Sequence, residues 1–473
     1  MMKREELEVL DKGALVEIIL AMQDQIIALV AKVAELEARL NQNSSNSSKP
    51  PSSDPPWMRP QSKRTKTGKK PGGQPGHKGH GLAIDREPDE IVELRAANCG
   101  RCGADLSGEE GNCRNIRYLI DIRIRTVITA FKQMESICPD CGAENLAAFP
   151  PGVTGTKQYG NGVRAISVLL TNYAMVGIDK TQRIMSDVFD VPLSAGTIVN
   201  MTKDCAVKSE PLLQEVSDRL KNAAVIHNDE TGVRVNGKRY WLHTASNGEA
   251  TYNTVSPKRG QEGIDGNGVL KGFSGTAVHD CWQSYFKYDN CDHALCNAHL
   301  LRELTAVTEN TEQKWAGQMK ELLLEMKRVT ERYKEAGKKG LSGYYDRKFT
   351  EEYDRIAKLG ESENPLRESS RNRSRPRCLL DRFIKYHAEI CRFASDFRVP
   401  FDNNQAERDI RNAKVKQKVS GGFRTDGGVE SYSKISSVIG TAVKQGMSAF
   451  HAVSGIVSGK LSSLFSPQCA ATE

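Results

Sequence analysis

A chain of 473 residues, 38% hydrophobic and 27% charged, is long enough for roughly two to four domains with sizeable cores, and its composition is that of a somewhat polar globular protein with disordered or extended parts. The net charge of +8 is modest but unevenly placed: residues 41–80 hold eight Lys or Arg against one acid, Asp54, and residues 367–424 hold fifteen against seven. Such clustering is the footprint expected of a nucleic-acid partner.

No run of about eighteen apolar residues is expected to span a bilayer, and the Met-Met-Lys-Arg-Glu-Glu start is not followed by the apolar core of a secretion signal. A cytoplasmic protein without membrane attachment is therefore expected. In that compartment twelve cysteines point to metal ligands or reduced thiols before disulfides.

In chain order, Leu15, Ile19, Met22, Ile26, Leu29, Val33, Leu36 and Leu40 follow a four-three spacing. Nearly four heptads of this seam predict a coiled coil and hence a homo-oligomer, the plainer alternative being an amphipathic helix packed on its own chain. Residues 42–92 read as a linker, first Ser/Pro-rich and then Lys/Gly/Pro-rich. Within it Lys63, Arg64, Lys66, Lys69 and Lys70 lead into Pro-Gly-Gly-Gln-Pro-Gly-His-Lys-Gly-His, which suits either phosphate tracking or a solvated tether.

Cys99-Gly-Arg-Cys102-Gly is answered by Cys138-Pro-Asp-Cys141-Gly. Two matched Cys-x-x-Cys-Gly knuckles have the spacing of a zinc ribbon, so a structural Zn2+ on Cys99, Cys102, Cys138 and Cys141 is expected; four thiolates leave no open position for catalysis. Between them Tyr118, Ile120, Ile122, Ile124, Thr126 and Ile128 alternate with Arg117, Asp121, Arg123 and Arg125, which predicts a long half-buried strand. Further on, Lys180–Phe189 reads as a helix, Asp190–Leu193 as a turn and Ser194 as the N-cap of a second helix. The pair resembles a DNA-reading helix-turn-helix, a geometry also common in ordinary helical cores.

The run Ala224-Val-Ile-His-Asn-Asp229 is apolar and ends in a carboxylate, as a buried strand delivering an acid to its edge would. The strand is expected to continue through Val235, turn at Asn236-Gly237 and return from Tyr240, with further strands near residues 250–255 and 276–278, the last ending at Asp280. A third acid, Glu407, falls on a helix expected to start at Asp402 with Gln405 completing a capping box, and Arg411, Lys414 and Lys418 lie in line with it. Carboxylates for Mg2+ or Mn2+ beside cations for phosphates are what metal-dependent phosphoryl transfer on DNA requires, because hard divalent ions favour oxygen ligands and two of them serve attacking and leaving oxygens. Asp229, Asp280 and Glu407 are thus the expected catalytic and metal-binding set.

Several segments together resemble the large transposase of the IS66 insertion-sequence family. They are His227-Asn-Asp229-Glu-Thr-Gly232, Val278-His-Asp280-Cys-Trp282-Gln-Ser-Tyr285, Cys296-Asn-Ala-His299-Leu-Leu-Arg302-Glu-Leu304, Pro400-Phe-Asp402-Asn-Asn404-Gln-Ala-Glu407-Arg408-Asp409, the Pro-Gly-Gly-Gln-Pro-Gly segment and Gly421-Gly-Phe-Arg424. The resemblance implies an α/β multidomain protein with a ribonuclease-H-like core of the DDE type, its triad on Asp229, Asp280 and Glu407, and a helical insertion between the second and third acids. It also implies DNA ends and target DNA as partners, with accessory proteins of the same element. Cys296-x-x-His299 matches a motif that follows the second acid in related transposases, and a scaffolding role is expected for it.

The expected division is a coiled coil at 1–41, the basic linker at 42–92, a zinc ribbon at 93–150, a helical DNA-binding region at 151–215, catalytic core at 216–300 and 398–473, and a helical insertion at 301–397. Two other functions fit part of the pattern. One is a non-catalytic dimeric DNA-binding regulator; the other is a phosphohydrolase with a mixed site built from His227, Asp229, His279 and Asp280.

Overall fold

The computed structural model describes residues 11–47, 54, 76, 82, 84, 86–366 and 373–465. Lys63, Arg64, Lys66, Lys69 and Lys70 lie outside the described residues. The chain forms two compact units, Pro55–Arg125 and the remainder.

Helix α1 spans Lys12–Leu40 and is capped by Asp11, whose Oδ1 accepts the Ala14 N–H at 2.7 Å. Its heptad seam faces solvent: Ile26 is 55% and Leu29 65% exposed. The stretch Lys12–Val30 has a mean hydropathy of 1.7 and is long and apolar enough, by length and composition alone, to cross a membrane. That corrects the expectation that no such run exists; Glu17 and Asp24 interrupt it without lowering its average enough.

The two cysteine knuckles share one local geometry. In the first, the Cys99 N–H donates to Ala104 O at 2.8 Å and the Gly103 N–H to Cys99 O at 2.9 Å; in the second, the Cys138 N–H donates to Ala143 O and the Gly142 N–H to Cys138 O, both at 2.9 Å. Gly103 (φ +77°) and Gly142 (φ +73°) occupy the left-handed region, which explains the glycine after each second cysteine. Backbone N–H groups turned toward Cys99 and Cys138, foremost those of Cys102 and Cys141, hold both thiols below their ordinary pKa. Strands β1 (Glu135–Ile137) and β2 (Glu144–Leu146) flank the second knuckle as an antiparallel pair.

The long strand expected around residues 118–128 is not formed; residues 111–134 are irregular, and Ile120, Ile122 and Ile124 are 56%, 82% and 50% exposed. Alternation alone makes no ladder. A strand needs a neighbour to take its N–H and C=O groups, and among the described residues none pairs with this one.

Helices α2 (Asn161–Asn172), α3 (Ile178–Phe189), α4 (Ala195–Lys208) and α5 (Glu210–Lys221) follow. The expected helix, turn and helix are present: Asp190 closes α3 in the left-handed conformation (φ +52°), and Ser194 Oγ accepts the Thr197 N–H at 3.1 Å to start α4. Met185, Ile198, Met201 and Leu213 belong to one buried core.

Strands β3 (Val225–Val235), β4 (Lys238–Ser246) and β5 (Thr251–Ser256) form an antiparallel meander, followed by the short helix α6 (Gln261–Asp265). The β3–β4 turn uses Asn236 (φ +48°) and Gly237 (φ +75°), as expected of an Asn-Gly hairpin. Strand β6 (Thr276–His279) then pairs parallel to β3, and β7 (Asp292–Leu295) parallel to β6, giving the order β5-β4-β3-β6-β7. Strand β7 has four residues and no alternation, so it carries no local sequence signal.

After β7 the chain forms α7 (Asn297–Asn310), α8 (Trp315–Glu335), α9 (Gly343–Glu363), α10 (Arg375–Lys385) and α11 (His387–Ser395), which share a core around Trp315, Met319, Tyr353 and Phe383. The chain returns as α12 (Asn404–Ser420), α13 (Asp426–Lys444) and α14 (Ala449–Ser458). Helix α13 covers the edge strand β5: Thr441 Oγ1 accepts the Thr251 N–H at 3.0 Å and Ser437 Oγ the Asn253 N–H at 2.8 Å. Donors left open at a sheet edge are thereby satisfied.

Between α12 and α13, Phe423 lies alongside the end of β3, its N–H donating to Arg234 O at 2.8 Å. Gly422 (φ +138°) brings the backbone so close that a Cβ there would sit 2.7 Å from Arg234 O. This accounts for the glycine in Gly421-Gly-Phe-Arg424.

The expected capping box at α12 is absent. Asn403, not Asp402, is the N-cap, without a side-chain cap bond; Asp402 Oδ1 accepts the Asn404 N–H at 3.1 Å, and Gln405 Nε2 donates to Asp409 at 3.1 Å. The cap side chain is occupied elsewhere, at the site.

Candidate active site

Parallel pairing of β3 with β6 sets His227 opposite Val278, so Asp229 and Asp280, each two residues further on, stand at the same level along neighbouring strands. Period-two alternation places them on one face of the sheet. Asp229 Oδ1 accepts the Glu230 N–H and Asp280 Oδ1 the Trp282 N–H, both at 2.9 Å. Glu407 arrives from the first turn of α12, about 180 residues away along the chain.

Asn403 fixes that arrival. Its Nδ2 donates to Asn228 O at 2.7 Å, which leaves Oδ1 to accept from Nδ1 of His227 at 2.8 Å, and its backbone N–H meets Cys296 Sγ at 3.2 Å. The start of α12 is thus tied both to the strand carrying Asp229 and to the start of α7. The only local sequence signal for Asn403 is its place in the Phe-Asp-Asn-Asn run.

The three acids share one electrostatic field. Burial first, then the charges of Glu230, Asp280 and Glu407, push the Asp229 carboxyl well above its ordinary pKa. Burial and the Glu230 charge push Asp280 to about 6, with the Trp282 N–H and Arg259 opposing. Oxygen Oε1 of Glu407 is buried without a hydrogen-bond partner, and His299 Nε2 lies 3.9 Å from it. A buried carboxylate oxygen without a donor is costly and calls for a cationic ligand. Carboxylate oxygens are also the donor type that hard divalent ions select, so the residues present fit such an ion.

Behind this face is a clamp that the sequence did not reveal. Glu230, whose side chain is 2% exposed, accepts from Arg259 Nε at 2.9 Å and from the Tyr285 hydroxyl at 2.6 Å. The Arg259 guanidinium lies over the rings of Trp282 and Trp241, at 4.0 and 4.8 Å. The segment that follows Asp280 is in this way fastened to β3. Trp282 and Tyr285 inside the Asp280 motif were the available signal.

His227 and His279 are committed to packing. His227 bonds Asn403, and burial lowers its pKa. His279 stacks on Tyr285 at 4.7 Å, bonds His293 at 2.9 Å and contacts the Asp280 carbonyl; burial pushes it down to about 3. A mixed His/Asp metal site is therefore not assembled from them.

The expected cations on α12, Arg411, Lys414 and Lys418, are all exposed, and Lys414 Nζ donates to Gly232 O at 2.8 Å. Sulfur and nitrogen ligands also approach the site: Cys296, His299 and Glu407 each offer a ligand atom within 4.8 Å of the others.

Two families match the sequence. Residues 2–83 match a family of unknown function (DUF6444), and residues 156–431, more than half of the chain, match the Transposase IS66 family. No curated protein matches the chain. The matched span runs from the helices before the sheet to beyond Glu407, and the chain belongs to the IS66 family of transposases.

Proposed function

We propose that this transposase is a DDE-type enzyme in which Asp229, Asp280 and Glu407 form the acidic triad of a ribonuclease-H-like core. The observation that carries the reading is the convergence of the three acids from β3, the end of β6 and α12, with one buried Glu407 oxygen left without a donor. The order β5-β4-β3-β6-β7, a three-stranded meander extended by two parallel strands, supports the fold assignment.

Asp229, Asp280 and Glu407 would hold Mg2+ or Mn2+. When bound, such ions supply Lewis-acid charge at the attacking and leaving oxygens of an in-line phosphoryl transfer. The chain's own contribution is orientation: Asn403 sets the height of Glu407, and the Glu230–Arg259–Trp282 clamp sets that of Asp280. Exposed Arg411 and Lys418 on α12 supply charge for phosphates, joined by the basic tract at Lys63, Arg64, Lys66, Lys69 and Lys70. The α3–α4 pair and a zinc ribbon on Cys99, Cys102, Cys138 and Cys141 serve DNA binding and its scaffold, and α1 serves homo-oligomerisation. The product chemistry is cleavage at the element's ends and joining of the freed 3′ hydroxyls to target DNA.

The test is a strand-cleavage assay on element-end DNA with Mg2+ or Mn2+. Asp229→Ala, Asp280→Ala and Glu407→Ala should each lower cleavage by at least about a thousandfold, the scale on which catalytic groups act, while end binding persists. Normal cleavage by Glu407→Ala would overturn the triad.

A further inference from the structure

The turn from β7 into α7 places Cys296 at the N-cap of α7 and His299 within its first turn, where the His299 N–H donates to Cys296 O at 3.2 Å. Helix α12 faces this turn. It is held there by the Asn403 N–H on Cys296 Sγ and by the Asn297 N–H on Phe401 O at 3.1 Å. The result is a sulfur, a nitrogen and a carboxylate oxygen within 4.8 Å of one another. In a tetrahedral zinc site such atoms stand roughly 3.3–3.8 Å apart, given metal–ligand bonds of about 2.0–2.3 Å. Small side-chain rotations therefore suffice to close the set, and His299 Nε2 is already 3.9 Å from Glu407 Oε1.

We propose that Cys296, His299 and Glu407 form a second metal site, selective for a borderline-soft divalent cation such as Zn2+, which withdraws Glu407 from the acidic triad and so inhibits the enzyme. Two observations carry this independently. One is the mixed thiol, imidazole and carboxylate set, a donor combination that favours zinc over Mg2+. The other is the buried Glu407 Oε1, which has no hydrogen-bond partner among the described residues and faces His299 Nε2 at 3.9 Å.

Three protein ligands leave the fourth coordination position open. Beside the set lies a cavity of about 210 Å³ whose lining includes Asp280, Cys296, His299, Glu303 and Arg382. It has room for the water that would complete a tetrahedron. On binding, Cys296 loses its thiol proton to solvent and becomes the thiolate ligand, so binding releases a proton.

The inhibitory consequence rests on Glu407 belonging to the triad; the binding site does not. The experiment counts tightly bound zinc in the full-length protein with a chromophoric chelator, for wild type, Cys296→Ala and His299→Ala, with thermal melts to show that each variant is folded. Wild type should hold one zinc more than either folded variant, the ribbon thiols contributing equally to all three. Equal counts would overturn the site, and His299→Ala, at a half-buried position, keeps the comparison open if Cys296→Ala does not fold. Added zinc should then lower Mg2+-dependent cleavage of element-end DNA at least tenfold in wild type, with each variant losing much less relative to its own zinc-free rate. A lost zinc without any change in zinc inhibition would keep the site and overturn its inhibitory role.

Discussion

Asn403 donates to the main-chain carbonyl of Asn228 at 2.7 Å, across 175 positions of sequence, and thereby fastens the helix bearing Glu407 to the strand bearing Asp229. Both residues are buried, at 2% exposure each. Asn403→Ala would leave the Asn228 carbonyl and the His227 ring without their partners, and an abandoned buried polar group costs about 1–3 kcal/mol. The expected outcome is a lower melting temperature together with a fall in cleavage rate that exceeds any fall in DNA binding, because the substituted residue positions Glu407 and does not touch DNA. An unchanged melt and an unchanged rate would show that α12 is held by its apolar face alone.

That relationship also marks how far the sequence could be read. Strand β3, the Asn236-Gly237 hairpin and the Ser194 cap rest on local signals, alternation, a turn dipeptide and a cap residue, and each is present as expected. The acids at 229 and 280 were legible for the same reason, as charges ending apolar runs. What failed was whatever a distant partner decides. Asn403 gives up its cap bond to serve β3, the alternating stretch around Ile120 has no strand beside it, and β7 exists because β6 offers it an edge. The clamp of Glu230 on Arg259 joins residues 29 apart through two Trp rings, and no periodicity announces it.

The acids also make stability depend on pH. Burial raises Asp280 from its ordinary value of 3.8 to about 6, so the folded chain keeps a proton there that the unfolded chain has already released. Stability from this group is fully present below the unfolded value and is lost as pH rises through the folded one, by roughly 3 kcal/mol in total. Asp229, also raised, acts in the same direction. In the presence of a chelator the melting temperature should fall from about pH 4.5 to about pH 7, and less steeply for Asp280→Asn. Mg2+ or Mn2+ should restore more stability at the higher pH, where the carboxylates are free of protons. Parallel pH slopes for wild type and Asp280→Asn would count against a raised Asp280.

Helix α1 leaves Ile26, Leu29 and Val33 at 55%, 65% and 54% exposure along a heptad seam. Apolar area of this kind is stabilised by removal from water at about 25 cal/mol per Å², and two environments offer that: a second copy of the helix or a lipid bilayer. The Lys12–Val30 stretch is apolar enough for the latter. A span would carry Glu17 and Asp24 with it, however, and a carboxylate at the centre of a membrane helix costs roughly 2.5–3.5 kcal/mol. A heptad pairing leaves both acids in water, since neither occupies a seam position. Self-association is therefore the expected outcome: wild type should sediment as a dimer or larger species, and Ile26→Glu with Leu29→Glu should shift it to monomer while the melt of the catalytic body stays the same. Wild type sedimenting as a monomer, or floating with lipid vesicles, would remove the coiled coil as the reason for the seam.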